Sequence, residues 1–164
     1  MKKLTLIIAL LTATLAAHAQ FEQGKWILNP SLTGLGISYN RAEKLKVGIE
    51  GQVGTFLADN VAALVHLGAH LSESTDFYTA GAGGRYYFDR NGIYLGVGLE
   101  FDRYSTSAIW GNNKRTVWGP SAEVGYAFFL SRTVTIEPAV YYKLRVNDMD
   151  LSRLGLKVGF GLYF

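Results

Sequence analysis

Charged side chains in this sequence recur at alternate positions, the spacing that gathers side chains onto one face of an extended strand. Glu100 and Asp102 stand two apart; Glu137, Lys143 and Arg145 share one parity, as do Arg153 and Lys157. With Lys46, Glu50, Arg85 and Glu123 they make a set of five acids and six bases that strands would turn to a common side. Paired carboxylates at a controlled separation are the equipment of glycoside hydrolysis, and on a strand Glu100 and Asp102 lie about 7 Å apart. Opposite charges at close quarters serve two other ends. One is an ion-selective constriction; the other is a salt-bridged plug in which each ion satisfies its neighbours.

His66 and His70 are four apart, which on a helix would make a zinc pair. On a strand they are about 13 Å apart, so a hydrogen-bonded role is expected of His66 and no metal site is expected. His70 also neighbours Ser72, Glu73 and Ser74, the residue types of nucleophile, base and orienter, but no acyl-transfer motif surrounds them. No cysteine is present, which removes thiolate zinc sites and thiol nucleophiles.

The elements that must position these groups read as β-strands. In the last segment Leu154, Leu156, Val158, Phe160, Leu162 and Phe164 alternate with Arg153, Gly155, Lys157, Gly159, Gly161 and Tyr163. The same period of two runs from Ile93 to Asp102 and from Val134 to Arg145. Weaker alternation over 24–39, 45–57, 61–71, 77–88 and 115–128 brings the strand count to eight. A bulge is expected near Thr33 and Gly34, where the register slips, and further bulges at Pro30, Pro120 and Pro138, which cannot donate to a ladder. Connections alternate too: 40–44, 72–76, 105–114 and 147–152 are polar and variable, whereas 58–60, 89–92 and 129–132 are short.

Residues 1–19 read as a secretory signal peptide: Lys2 and Lys3, an apolar run from Leu4 to Ala17, and the small-residue site Ala17-His18-Ala19. The mature domain is then 20–164. Losing Lys2 and Lys3 leaves 14 basic against 13 acidic side chains, a formal charge of +1 where the full chain has +3. That balance lacks the basic face a nucleic-acid partner needs, so none is expected.

Which face points outward follows from the glycines. Nineteen glycines in 164 residues exceed the usual share of roughly 7%, and many alternate with the apolar positions. A water-facing side would favour Lys, Glu, Thr and Ser over glycine. The lumen of eight strands is only wide enough to be filled by side chains, so glycine beside large ions fits an enclosed face. The apolar face then looks at lipid, and its aromatics sort into two belts, Trp26, Tyr86, Phe88, Phe128 and Phe164 at one end and Tyr39, Tyr78, Phe101, Trp118 and Tyr142 at the other. The expected fold is all-β: an eight-stranded antiparallel up-and-down transmembrane β-barrel. The rival is a soluble lipocalin-like carrier, prompted by Gly24-Lys25-Trp26, with the apolar face enclosed instead.

The stretch Lys157 to Phe164, with Gly159, Leu162 and Phe164 at its key positions, resembles the C-terminal assembly signal of outer-membrane barrels. Phe56 to Leu64 and Arg85 to Phe88 resemble turn and strand motifs of the porin-family small outer-membrane β-barrel domain, of the OmpA/OmpX-like type. The resemblance implies an outer-membrane location, short turns in the periplasm, and as partners the barrel-assembly machinery and the membrane's lipid and lipopolysaccharide. No cofactor is implied and the ligand is left open. The expected role is structural or in surface interaction, with a closed lumen and no enzyme activity; a narrow porin is the alternative. Trp110 and Lys114, on the expected outer loop 105–114, and Arg115, directly after it, are candidates for recognition or, for the two cations, for contact with lipopolysaccharide phosphates.

Overall fold

The computed structural model describes residues 21–33, 48–70, 76–88, 92–108 and 111–164. Its strands are β1 (Trp26–Thr33), β2 (Gly48–Ala58), β3 (Val61–His70), β4 (Asp76–Tyr87), β5 (Ile93–Ala108), β6 (Gly111–Tyr126), β7 (Phe128–Phe129), β8 (Val134–Lys143) and β9 (Arg153–Tyr163). β7 extends β6 past Ala127 in unbroken register: Gly125 pairs with Ala139 and Phe128 with Ile136. Each strand pairs antiparallel with the next, and β1 returns to pair with β9. The sheet is therefore an eight-position closed barrel. Closure leaves no edge, so every ladder can be satisfied without water, the condition for crossing hydrocarbon with strands.

Orientation decides between the two readings of the alternating pattern. Val97 is 68% exposed and Leu156 40%, whereas the side chains of Glu123 and Lys157 are 10% and 4% exposed. The outside is apolar and the inside charged, the reverse of a carrier with a greasy cavity. Both belts form on the outer wall, with Trp26, Tyr86, Phe88 and Phe164 toward the termini and Tyr78, Phe101, Trp118 and Tyr142 toward the other end; Phe128 is half-buried against Tyr126, and Tyr39 lies outside the described residues. At the terminal end β2 and β3 are joined by Asp59–Asn60 alone, with Asn60 at φ 65°.

Two expectations about the chain path need correction. The segment 105–114 is almost wholly ladder: β5 and β6 stay paired out to Ala108 and Gly111. Its Ser, Thr and Asn residues read as loop, but strand propensity reflects fit to the surroundings more than an intrinsic preference. The prolines, likewise, make no bulge. Pro30 sits where the β1–β9 pairing skips from Leu28 to Ser31, Pro138 where β8 passes from β6 to β7, and Pro120 one residue outside the β6–β8 ladder. Each stands at a gap or limit of one ladder with no register shift beside it. The bulge that does occur is at Leu57, between Phe56 and Ala58. Thr33 is in register on both sides; Gly34 lies outside the described residues.

The enclosed glycines have a common placement. Glu50 is paired across its ladder with Gly68, Glu100 with Gly81 and Gly119, Glu123 and Arg85 with Gly96, Glu137 with Gly159, Tyr94 with Gly125 and Tyr141 with Gly155. Large inward side chains lie over a neighbour that has none. A Cβ at Gly125 would meet the Tyr94 ring, including Cε1 at 2.8 Å, and that ring is fixed by its stack on Arg85. Gly125→Ala should lower stability by about 1–3 kcal/mol through overpacking, measured as the midpoint of urea unfolding in micelles; a midpoint equal to that of the parent would contradict this packing.

Candidate functional site

The lumen is organised by cations whose donors reach several strands at once. Arg85 projects from β4. Its Nη1 donates to Glu137 Oε2 at 2.8 Å and to the Tyr87 hydroxyl at 2.9 Å; Nη2 donates to Glu123 Oε1 at 2.7 Å and to Gln52 Oε1 at 2.5 Å; Nε donates to Glu123 at 3.1 Å. All five guanidinium N–H groups are thereby used, and the group lies 4.1 Å from the Tyr94 ring centroid. Glu137, on β8, accepts as well from Asn29 Nδ2 of β1 at 2.6 Å, Thr135 at 2.7 Å and Tyr163 of β9 at 2.5 Å. Lys157 of β9 donates to Glu123 of β6.

A second network lies nearer the loop end. Lys143 of β8 donates to Glu50 of β2 at 2.6 Å and lies 3.1 Å from Glu100 of β5. Arg145, just past β8, contacts Glu100 at 3.1 Å and Asp102 at 2.6 Å, and Thr79 of β4 donates to Asp102 at 2.7 Å. His66 Nδ1 is 3.7 Å from Glu100, beyond hydrogen-bond distance, and its buried Nε2 meets no partner among the described residues, so His66 borders the lumen network without the hydrogen bond expected of it. Glu100 and Asp102 share Arg145, which makes the pair an anchor for a cation. The internal gap lined by Glu50, His66, Glu100, Glu123, Lys143 and Lys157 measures about 10 Å³, room for about one water.

An aromatic cluster lies at the terminal end. Phe21 is buried there, its ring stacked 4.1 Å from Tyr87 and 5.6 Å from Tyr163 and Phe129, with Phe56 5.9 Å away. The sequence reading assigned no role to Phe21, Phe56, Tyr87 or Tyr94. Three of them stand at inward parity, Phe56 with Glu50, Tyr87 with Arg85 and Tyr94 with Glu100, so parity alone could have placed them inside. Phe21 precedes the first strand and carries no such signal.

Of the other candidates, Arg153 donates to the Tyr104 hydroxyl at 2.8 Å. Arg115 is exposed and pairs with Asp148 at 2.7 Å. Gly159 is buried beneath Asn29 and Ser31, Leu162 is half-buried, and Phe164 is exposed at the rim, where its backbone exchanges hydrogen bonds with Trp26 at 2.7 and 3.1 Å. Lys46, Trp110 and the 71–75 segment lie outside the described residues, as do the side chains of His70 and Lys114.

Removing one partner of a buried pair leaves an uncompensated ion, a loss of about 3–5 kcal/mol. Arg85→Met should therefore destabilise the barrel by roughly that amount, and adding Glu137→Gln should recover part of it. A double-mutant cycle on unfolding midpoints in micelles measures the coupling; strictly additive losses would mean that Arg85 and Glu137 do not depend on each other.

No protein-family model and no curated protein sequence matches this chain. Solved structures do. The N-terminal β-barrel domain of OprF from Pseudomonas aeruginosa aligns at TM-score 0.71 and 12% identity, covering 87% of this chain and 98% of that one. Neisserial surface protein A aligns at TM-score 0.66 and 18% identity, covering 86% and 97%. The outer membrane protein OprG of Pseudomonas aeruginosa aligns at TM-score 0.58 and 13% identity, covering 92% and 99%. At these identities the likeness is one of fold, and the fold is the closed eight-stranded antiparallel transmembrane barrel.

Proposed function

We propose that the protein is an outer-membrane β-barrel of the small OmpA/OmpX-like kind, with a salt-bridged closed lumen and a structural or surface-interaction role in place of transport or catalysis. The observation that carries this reading is Arg85. Its guanidinium joins β2, β4, β6 and β8 across the lumen, and Phe21 with its aromatic neighbours lies beneath it. A solute passing through would have to break these contacts, and the gap between the two networks holds about one water. The carboxylates that paired-acid chemistry would use are engaged by Lys143, Lys157, Arg85 and Arg145.

An outer-membrane location is supported by the apolar outer wall with its two belts and is in keeping with an outer membrane protein of the same fold. In this reading residues 1–19 are the exported leader, and Gly159, Leu162 and Phe164 present the strand that the assembly machinery engages. The belts face membrane lipid and lipopolysaccharide, and Trp110, Lys114 and Arg115 are the residues assigned to recognition outside the cell.

Planar-bilayer recording is the direct test. The parent protein should leave the conductance at baseline, while running as a heat-modifiable band from the outer-membrane fraction. Stable unitary steps from folded protein would overturn the closed lumen in favour of a narrow channel.

A further inference from the structure

The two charge networks of the lumen meet at the gap beside His66. His66 stands on β3 in one cross-strand row with Gly81 of β4 and Glu100 of β5. The glycine between them lets imidazole and carboxylate face each other, 3.7 Å apart at Nδ1. A neighbouring carboxylate favours the neutral tautomer with its proton on Nδ1, which leaves Nε2 as an acceptor. Nε2 is buried and meets no donor among the described residues, an arrangement that costs free energy unless something supplies one. Lys157 of β9 lines the same gap. Its bond to Glu123 uses one of the three donors of an ammonium whose side chain is 4% exposed. The gap thus offers an acceptor in need of a donor and a cation with donors to spare. Its volume is about 10 Å³, which holds a water where roughly two to four polar partners converge. Charged walls exclude an apolar guest, and the size excludes a larger solute. Nor do the described residues gather three His, Asp or Glu side chains at the spacing of a metal site.

We propose that this gap binds one ordered water, which donates an O–H to His66 Nε2, accepts from the Lys157 ammonium and gives its second O–H to a lining carboxylate. The water is the joint between the networks. Through it Lys157, Glu123 and Arg85 on one side are tied to His66, Glu100 and Lys143 on the other. His66 is a positioning residue here: it carries the bond across and satisfies its own buried nitrogen in doing so. A bridging water is enthalpically close to a direct hydrogen bond, so the two networks act as one. The proposal rests on the closed-lumen reading, whose own failure would show as unitary steps in a bilayer, whereas a dry gap leaves the conductance at baseline.

Crystallography of the folded barrel, at a resolution that shows ordered waters, provides the test. The parent should show a peak roughly 2.7–3.2 Å from both His66 Nε2 and Lys157 Nζ. His66→Phe, which has no acceptor, should lose that peak; His66→Gln, whose amide oxygen can accept from water, should keep it. A gap without density in the parent overturns the proposal, and a peak that survives His66→Phe overturns the part given to His66. A peak roughly 2.0–2.1 Å from Nε2 would be a metal ion and overturns water as the occupant. Heat-modifiable migration confirms that each variant is folded. If His66→Phe does not fold, the parent peak and its retention in His66→Gln decide the matter, since the absence of either overturns the site.

Discussion

An ion enclosed by eight strands has little water to fall back on, and the interior of this barrel is arranged around that constraint. Each buried carboxylate must find a cation, because an isolated charge in such surroundings costs several kcal/mol. Each long side chain must also find volume. The two demands are met together: Glu50, Glu100, Glu123 and Glu137 reach cations on distant strands while lying over Gly68, Gly81, Gly96 and Gly161 on adjacent ones. Electrostatics and packing are here one pattern, large and charged opposite small.

Much of this was legible in the sequence because strand parity is an exact code where one side is lipid. Every inward ion of β5, β8 and β9 could be assigned by counting in twos, and the enclosed glycines told which side was the inside. What parity does not carry is height and partner. It puts Arg85, Glu123 and Glu137 on one face but does not say that they meet at one level, since that depends on the stagger of the barrel. Nor does it reach residues outside the strands: Phe21, which helps to form the aromatic cluster, has no alternation around it to interpret. The segment 105–114 was misjudged for a related reason. Where a strand bears polar residues on both faces, as around Ser105 and Asn113, the alternation that marks a strand disappears while the backbone ladder persists.

The two ends of the barrel are built from different materials. Toward the termini the lumen is filled by rings, with Phe21, Phe56, Tyr87 and Tyr163 in mutual contact. Toward the loops it is filled by ions and ends in the Arg153–Tyr104 contact. Such buried ion networks add little net stability over a greasy core of equal volume. A lumen built of them favours one arrangement over its competitors more than it favours tightness.

Glu137 shows what that arrangement selects. It takes hydrogen bonds from Asn29 of β1 and Tyr163 of β9, so it straddles the place where the two ends of the chain are sewn together. A one-residue slip of β1 along β9 would swing Asn29 out toward hydrocarbon and strand the carboxylate. The seam thus contains its own proofreader: mis-stitched cylinders forfeit a polar contact that only the native alignment can make.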